Sequence, residues 1–139
     1  MATIKEAIVA ILKTDAQLTG AGKLGNTSLL GRSVSDPYGI YFSAPAEVID
    51  LDDGSYITYF VGAQAGYEPR SLFINITAWG NNFEIVLKRV FALLHEATIT
   101  ATDFRALMIK FDNAGPELFD DEKKAYFLQH RYHVKGWAL

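Results

Sequence analysis

Apolar positions recur along this chain in two rhythms, and the switch between them marks out its elements. The helical rhythm opens it: Ile4, Ala7, Ile8, Ile11 and Leu12 fall on one side at about 100° per residue, with Lys5, Glu6 and Lys13 opposite. Thr3 and Glu6 stand at capping-box spacing, so this helix is predicted to start there and to lie on a core. The two-residue rhythm comes later. "SYITYFV" (55–61) and "SLFINITAW" (71–79) are rich in β-branched and aromatic residues and flank "GAQAGYEPR". They predict a hairpin with a long tip at about residues 62–70. In its second arm Leu72, Ile74, Ile76 and Ala78 share one face, while Ser71, Asn75 and Thr77 share the other with Phe73 and Trp79.

The chain then turns on Gly80-Asn81-Asn82 and returns to the helical rhythm, with Asn81 three residues before Glu84 as a predicted cap. On a wheel, Phe83, Val86, Leu87, Val90, Phe91, Leu93 and Leu94 occupy one side. Glu84, Lys88, Arg89, His95 and Glu96 occupy the other, interrupted by Ile85 and Ala92. "GIYFSAP" (39–45) reads as a short strand, "DFRALMIKFD" (103–112) as another, and "NAGPELFDDEK" (113–123) as a turn-rich connection. "KAYFLQHRYHVKGW" alternates, with Tyr126, Leu128, His130, Tyr132 and Val134 on one side and Gln129, Arg131, His133 and Lys135 on the other. Residues of about 16–37, with several Gly, Ser, Thr and Asn and no sustained period, read as a long loop. The order predicts a single α+β domain over residues 1–139. It has a mainly antiparallel sheet of about four to five strands, with two helices packed on one face.

Composition narrows the function. A domain of 139 residues buries roughly two thirds of its extended surface, enough for a core without staples. The absence of cysteine removes disulfides, thiolate nucleophiles and sulfur-ligated metals. A formal charge of −3 without any Lys/Arg run argues against specific nucleic-acid recognition. Neither a leader-like cleavage pattern nor an apolar run near 18 residues is present, so a soluble, unexported protein without membrane attachment is expected.

The motifs that could carry chemistry are incomplete. In a strand, His130 and His133 point to opposite faces, which defeats a metal chelate. His95 falls on the polar helix side near a C-terminus, where the helix dipole favours a cation regardless of chemistry. "DLDDG" around Asp50, Asp52 and Asp53 lacks the spaced ligands and closing Glu of a calcium loop. "GAGKLG" around Lys23 lacks phosphate-loop spacing, and no G-x-S-x-G occurs. No catalytic, cofactor or metal site is therefore expected, and the chain is not expected to be an enzyme. What stands out is apolar and aromatic content away from the predicted core: Phe73 and Trp79 on the more polar strand face, Ile85 on the polar helix side, and Tyr67 at the hairpin tip beside Glu68 and Arg70. Such residues are candidates for an interface between subunits.

The order and pattern of these segments resemble the phage tail-terminator and tail-completion (head-to-tail joining) family. The likeness lies in "IKEAIVAILKTDAQLTGAGKLG", "GIYFSAPAE", "SYITYFVG", the strand-turn-helix "SLFINITAWGNNFEIVLKRVFALLHE" and the closing "AYFLQHRYHVKGW". It spans essentially the whole chain and rests on order, because that family has no catalytic signature. The resemblance implies an α+β virion structural protein of a long-tailed phage or phage-like particle, assembled in the host cytoplasm. It implies a homo-oligomeric ring, often a hexamer, that caps the tail tube. Its partners would be the major tail tube protein and a head-completion or neck protein. The alternatives left open are a head-completion role and a small α+β binding or regulatory domain acting as a dimer.

Overall fold

The computed structural model describes residues 3–15, 18, 40–42, 55–63, 70–80, 82–99, 101–102, 104–106, 108–120 and 125–138. In chain order its elements are α1 (Ile4–Lys13), β1 (Ile40–Phe42), β2 (Tyr56–Ala63), β3 (Arg70–Trp79), α2 (Phe83–Leu94), β4 (Phe104–Ala106), β5 (Lys110–Ala114), β6 (Leu118–Asp120) and β7 (Ala125–Ala138). The predicted long loop lies outside the described residues apart from Leu18, and the hairpin tip does so between its two strand ends.

Strands follow the order β1-β2-β3-β7-β4, with β5 and β6 also paired to β7. The pairs β2–β3 and β3–β7 are antiparallel, from Tyr56↔Trp79 to Ala63↔Leu72 and from Arg70↔Gly136 to Trp79↔Phe127. β4, β5 and β6 lie on the other edge of β7, against residues 136–138, 130–133 and 125–127. Together they make one interrupted outer strand. The strand predicted at 103–112 is thus split in two, and the predicted turn region contains a third piece. β1 departs from the antiparallel expectation, pairing parallel to β2 from Ile40↔Ile57 to Phe42↔Tyr59.

The break before β5 has a cause in backbone hydrogen bonding. After α2, Glu96 takes a left-handed φ of 64°, and its N–H donates to the Ile109 carbonyl at 2.7 Å. The Ile109 N–H in turn donates to Ala97 O at 2.9 Å, and the Ile109 side chain is buried. Residue 109 is thereby held by the segment that follows α2, and the outer strand resumes only at Lys110.

Both helices cover one sheet face, as predicted. Leu72, Ile74, Ile76 and Ala78 of β3 pack there with Ile57, Tyr132 and Val134. α1 adds Ile4, Ile8 and Leu12; α2 adds Phe83, Val86, Leu87, Val90 and Leu94. Each such side chain contributes about 1.5–3 kcal/mol of transfer free energy, which makes this layer the main source of stability. Phe91, predicted to face inward, is 38% exposed. It lies beside the core, stacked on His95 at 4.6 Å and edge-on to Phe111 at 5.4 Å.

Caps and ties set the helices in place. Thr3 Oγ1 accepts the Glu6 N–H at 3.3 Å and donates to the Glu6 carboxylate at 2.9 Å, so the predicted capping residues do meet. α2 starts differently from expectation. Asn82 is its cap residue and makes no side-chain cap bond; its Oδ1 accepts from the Ser55 hydroxyl, and Asn81 lies outside the described residues. Gly80 precedes it with φ +127°, its N–H donating to Tyr126 O at 3.0 Å. A Cβ on Gly80 would strike Ser55, whose own Cβ would lie 3.0 Å away, so the turn requires glycine twice over. Between the helices, Arg89 grips Asp15 with two bonds, Nε to Oδ2 at 3.0 Å and Nη2 to Oδ1 at 2.6 Å. Asp15 Oδ2 also accepts the Leu18 N–H at 2.9 Å. The Asp15 hydrogen bond holds the Arg89 pKa above its usual value.

Candidate functional site

Two surfaces carry apolar side chains beyond the core, on opposite sides of the sheet. The first is the face without helices. Register places Tyr56, Trp79 and Phe127 in one row across β2, β3 and β7. Trp79 stacks between the other two, at 5.8 Å from Tyr56 and 4.3 Å from Phe127, and its Nε1–H donates to Thr58 Oγ1 at 3.1 Å. Trp79 is only 9% exposed and Tyr56 only 1%. Trp79, proposed from sequence as an interface residue, is therefore a satisfied internal residue of this face. Alternation placed it on the right side of the strand; its burial depends on neighbours brought in by pairing.

Further along the same face the rows change character. Phe60 is 46% exposed and pairs with Asn75, which accepts the Arg131 Nε–H at 3.1 Å. The Arg131 guanidinium lies 5.3 Å from the Phe73 ring centroid, so the Phe73 candidate is half-buried beneath a cation. Gln129 and Lys135 on β7 are exposed. β2, β3 and β7 hold no Asp or Glu, so over these three strands the charged side chains of this face are cations; Asp120 of β6 lies at its edge opposite Ala125. Arg70 opens β3 opposite Gly136. Tyr67 and Glu68 lie outside the described residues.

The second surface is a cleft of about 380 Å³ at the start of α2, lined by Asn82, Phe83, Glu84, Ile85, Glu117 and Tyr126. Ile85 is 56% exposed, as its place on the polar helix side implied. Tyr126 packs against Phe119 with ring centroids 4.9 Å apart, and both remain nearly half exposed. Sequence reasoning picked out Ile85 and did not single out Tyr126 or Phe119 here, nor Leu118, which lies opposite Phe127 on the helix-free face. The available signal was "ELFDDE", two large apolar residues between acids, where a plain connection needs none.

The histidines occupy three separate settings. His95 is not on the open solvent side: its Nδ1 accepts the Phe111 N–H at 3.0 Å, and its Nε2 lies 3.4 Å from Glu96. It ties the end of α2 to β5. His130 points to the helix side, edge-on to Phe111 at 5.2 Å, and burial lowers its pKa. Its Nδ1 and the Tyr132 hydroxyl are buried with no hydrogen-bond partner among the described residues, and burial raises the Tyr132 pKa well above the usual phenol range. His133 sits on the opposite face, across from Phe73. Among the described residues no three His, Cys, Asp or Glu side chains are grouped so as to hold a metal ion. No helix among them is long and apolar enough to cross a membrane.

This layout can be compared with known proteins. In fold, it is similar to a chain of a virion. The solved structure of the virion of a native gene transfer agent particle contains a chain that superimposes with a TM-score of 0.63 at 14% sequence identity. The match covers 96% of this chain and 94% of that one. At this identity what is shared is the fold, and it is shared over nearly the full length of both chains. No protein-family model matches the chain, and no curated protein sequence matches it.

Proposed function

We propose that this chain is a structural subunit of a phage or phage-like virion, one of several copies forming a ring that caps the tail tube and joins it to the head. The observation that carries the reading is the near full-length fold correspondence with a virion chain. The apolar side chains exposed at Phe60, Ile85, Leu118 and Phe119 support it, because a subunit buried in an assembly presents such residues to its neighbours. The role is one of binding, without catalysis or cofactor. Its partners are further copies of the chain, the major tail tube protein and a head-completion protein, and its place is the finished particle.

Deleting the gene from a particle-producing strain and imaging the products tests this. A tube that nothing caps keeps growing, so the expected products are filled heads unattached to tails of excess and variable length. Complete particles would overturn the proposal. Tails of normal length beside unjoined heads would move the chain to the head side of the joint.

A further inference from the structure

We propose that the acidic-rimmed cleft at the start of α2 on one copy docks on the helix-free sheet face of a second copy. This interface deepens the ring reading and rests on it. The charged residues of the two surfaces differ in sign: Glu84 and Glu117 line the cleft, while Arg131 and exposed Lys135 stand on the helix-free face of β7, with Asp120 at the β6 edge of that face. Glu84 and Glu117 border Ile85 and Tyr126 in the cleft, with Phe119 packed alongside. On the sheet face, exposed Phe60 and half-buried Phe73 lie near Arg131.

Complementarity then selects the mode of pairing. Cleft against cleft brings carboxylates together, and face against face brings cations together, so a two-fold dimer through either surface meets like charge. Only cleft against face joins an acidic rim to a basic one, with aromatic side chains on both sides. The first turn of α2 and Tyr126 lie on the helix side of β7, while Gln129, Arg131 and Lys135 lie on the other. Each copy can thus use both surfaces at once. That is a head-to-tail contact, which closes into a ring when its rotation allows.

Two double variants at exposed positions test it in sedimentation experiments. Ile85→Lys/Glu117→Lys spoils the cleft, and Gln129→Glu/Lys135→Glu spoils the face. The wild-type chain is expected to self-associate with rising concentration, and each variant at least about tenfold more weakly. An equimolar mixture of the two should associate more strongly than either variant alone, because the intact face of the first meets the intact cleft of the second and the reversed charges of the two altered surfaces also complement each other. The proposal is overturned if the wild-type chain stays monomeric to millimolar concentration, if either variant associates like wild type, or if the mixture associates no more strongly than either variant alone. Should a variant self-associate normally yet fail to enter particles, the surface it alters belongs to another particle protein. The second-copy assignment is then wrong while the virion role stands.

Discussion

Replacing Trp79 separates two roles that the same side chain could hold. If Trp79 is internal, Trp79→Ala removes a ring stacked between Tyr56 and Phe127 and 9% exposed, a loss that in well-packed interiors costs about 3–5 kcal/mol. Trp79→Phe keeps an aromatic in the row and removes only the donor to Thr58 Oγ1, itself on a residue 8% exposed. Its expected cost is roughly 1–2 kcal/mol. Urea denaturation followed by circular dichroism, at concentrations where the chain is monomeric, measures both. For a chain of this size a loss of ~4 kcal/mol also lowers the melting temperature by roughly 10–15 °C. An interface residue would behave in the opposite way, sparing the monomer and weakening assembly. A Trp79→Ala monomer as stable as wild type would therefore refute its assignment to the interior.

Two further predictions concern backbone and charge. Gly80→Ala should destabilise by roughly 2–3 kcal/mol through the φ of +127°, and Ser55→Ala should recover only part of that in equilibrium unfolding, because Ser55 Cβ and Cα also crowd the site. His130 titrates lower in the folded chain than its ordinary 6.5, so as pH falls through that value the unfolded chain takes up the proton first. Stability should therefore drop as pH falls through 6.5, and the urea midpoint of His130→Leu should vary less between pH 8 and 5; an equal acid-side loss in the variant would remove His130 as its cause.

What could be read from sequence was whatever depends on local spacing. The faces of β3 and of both helices followed from periodicity alone, since a residue's side is fixed by its place in its own element. The features that were misread depend on other segments. β6 is three residues between acids and acquires strand geometry by pairing with residues 125–127. The split between β4 and β5 follows from Ile109 exchanging hydrogen bonds with Glu96 and Ala97. β1 lies parallel to β2 through a pairing that three residues cannot signal. The exposure of Ile85 was legible because it breaks a local pattern. The burial of Trp79 was not, because its cover comes from strands distant in sequence.

β7 follows every other strand in the chain and yet lies in the middle of the sheet, bonded to β3 on one edge and to β4, β5 and β6 on the other. During synthesis, a nascent chain that has emerged only as far as β6 shows the whole unpaired edge of β3 and a core lacking Tyr132 and Val134. Neither the sheet face nor the cleft floored by Tyr126 exists at that stage. Completion of the sheet thus waits on residues 125–138. On the proposed head-to-tail contact, chains that stall or are clipped before this segment would lack both surfaces and be left as substrates for proteolysis rather than as defective members of an assembly.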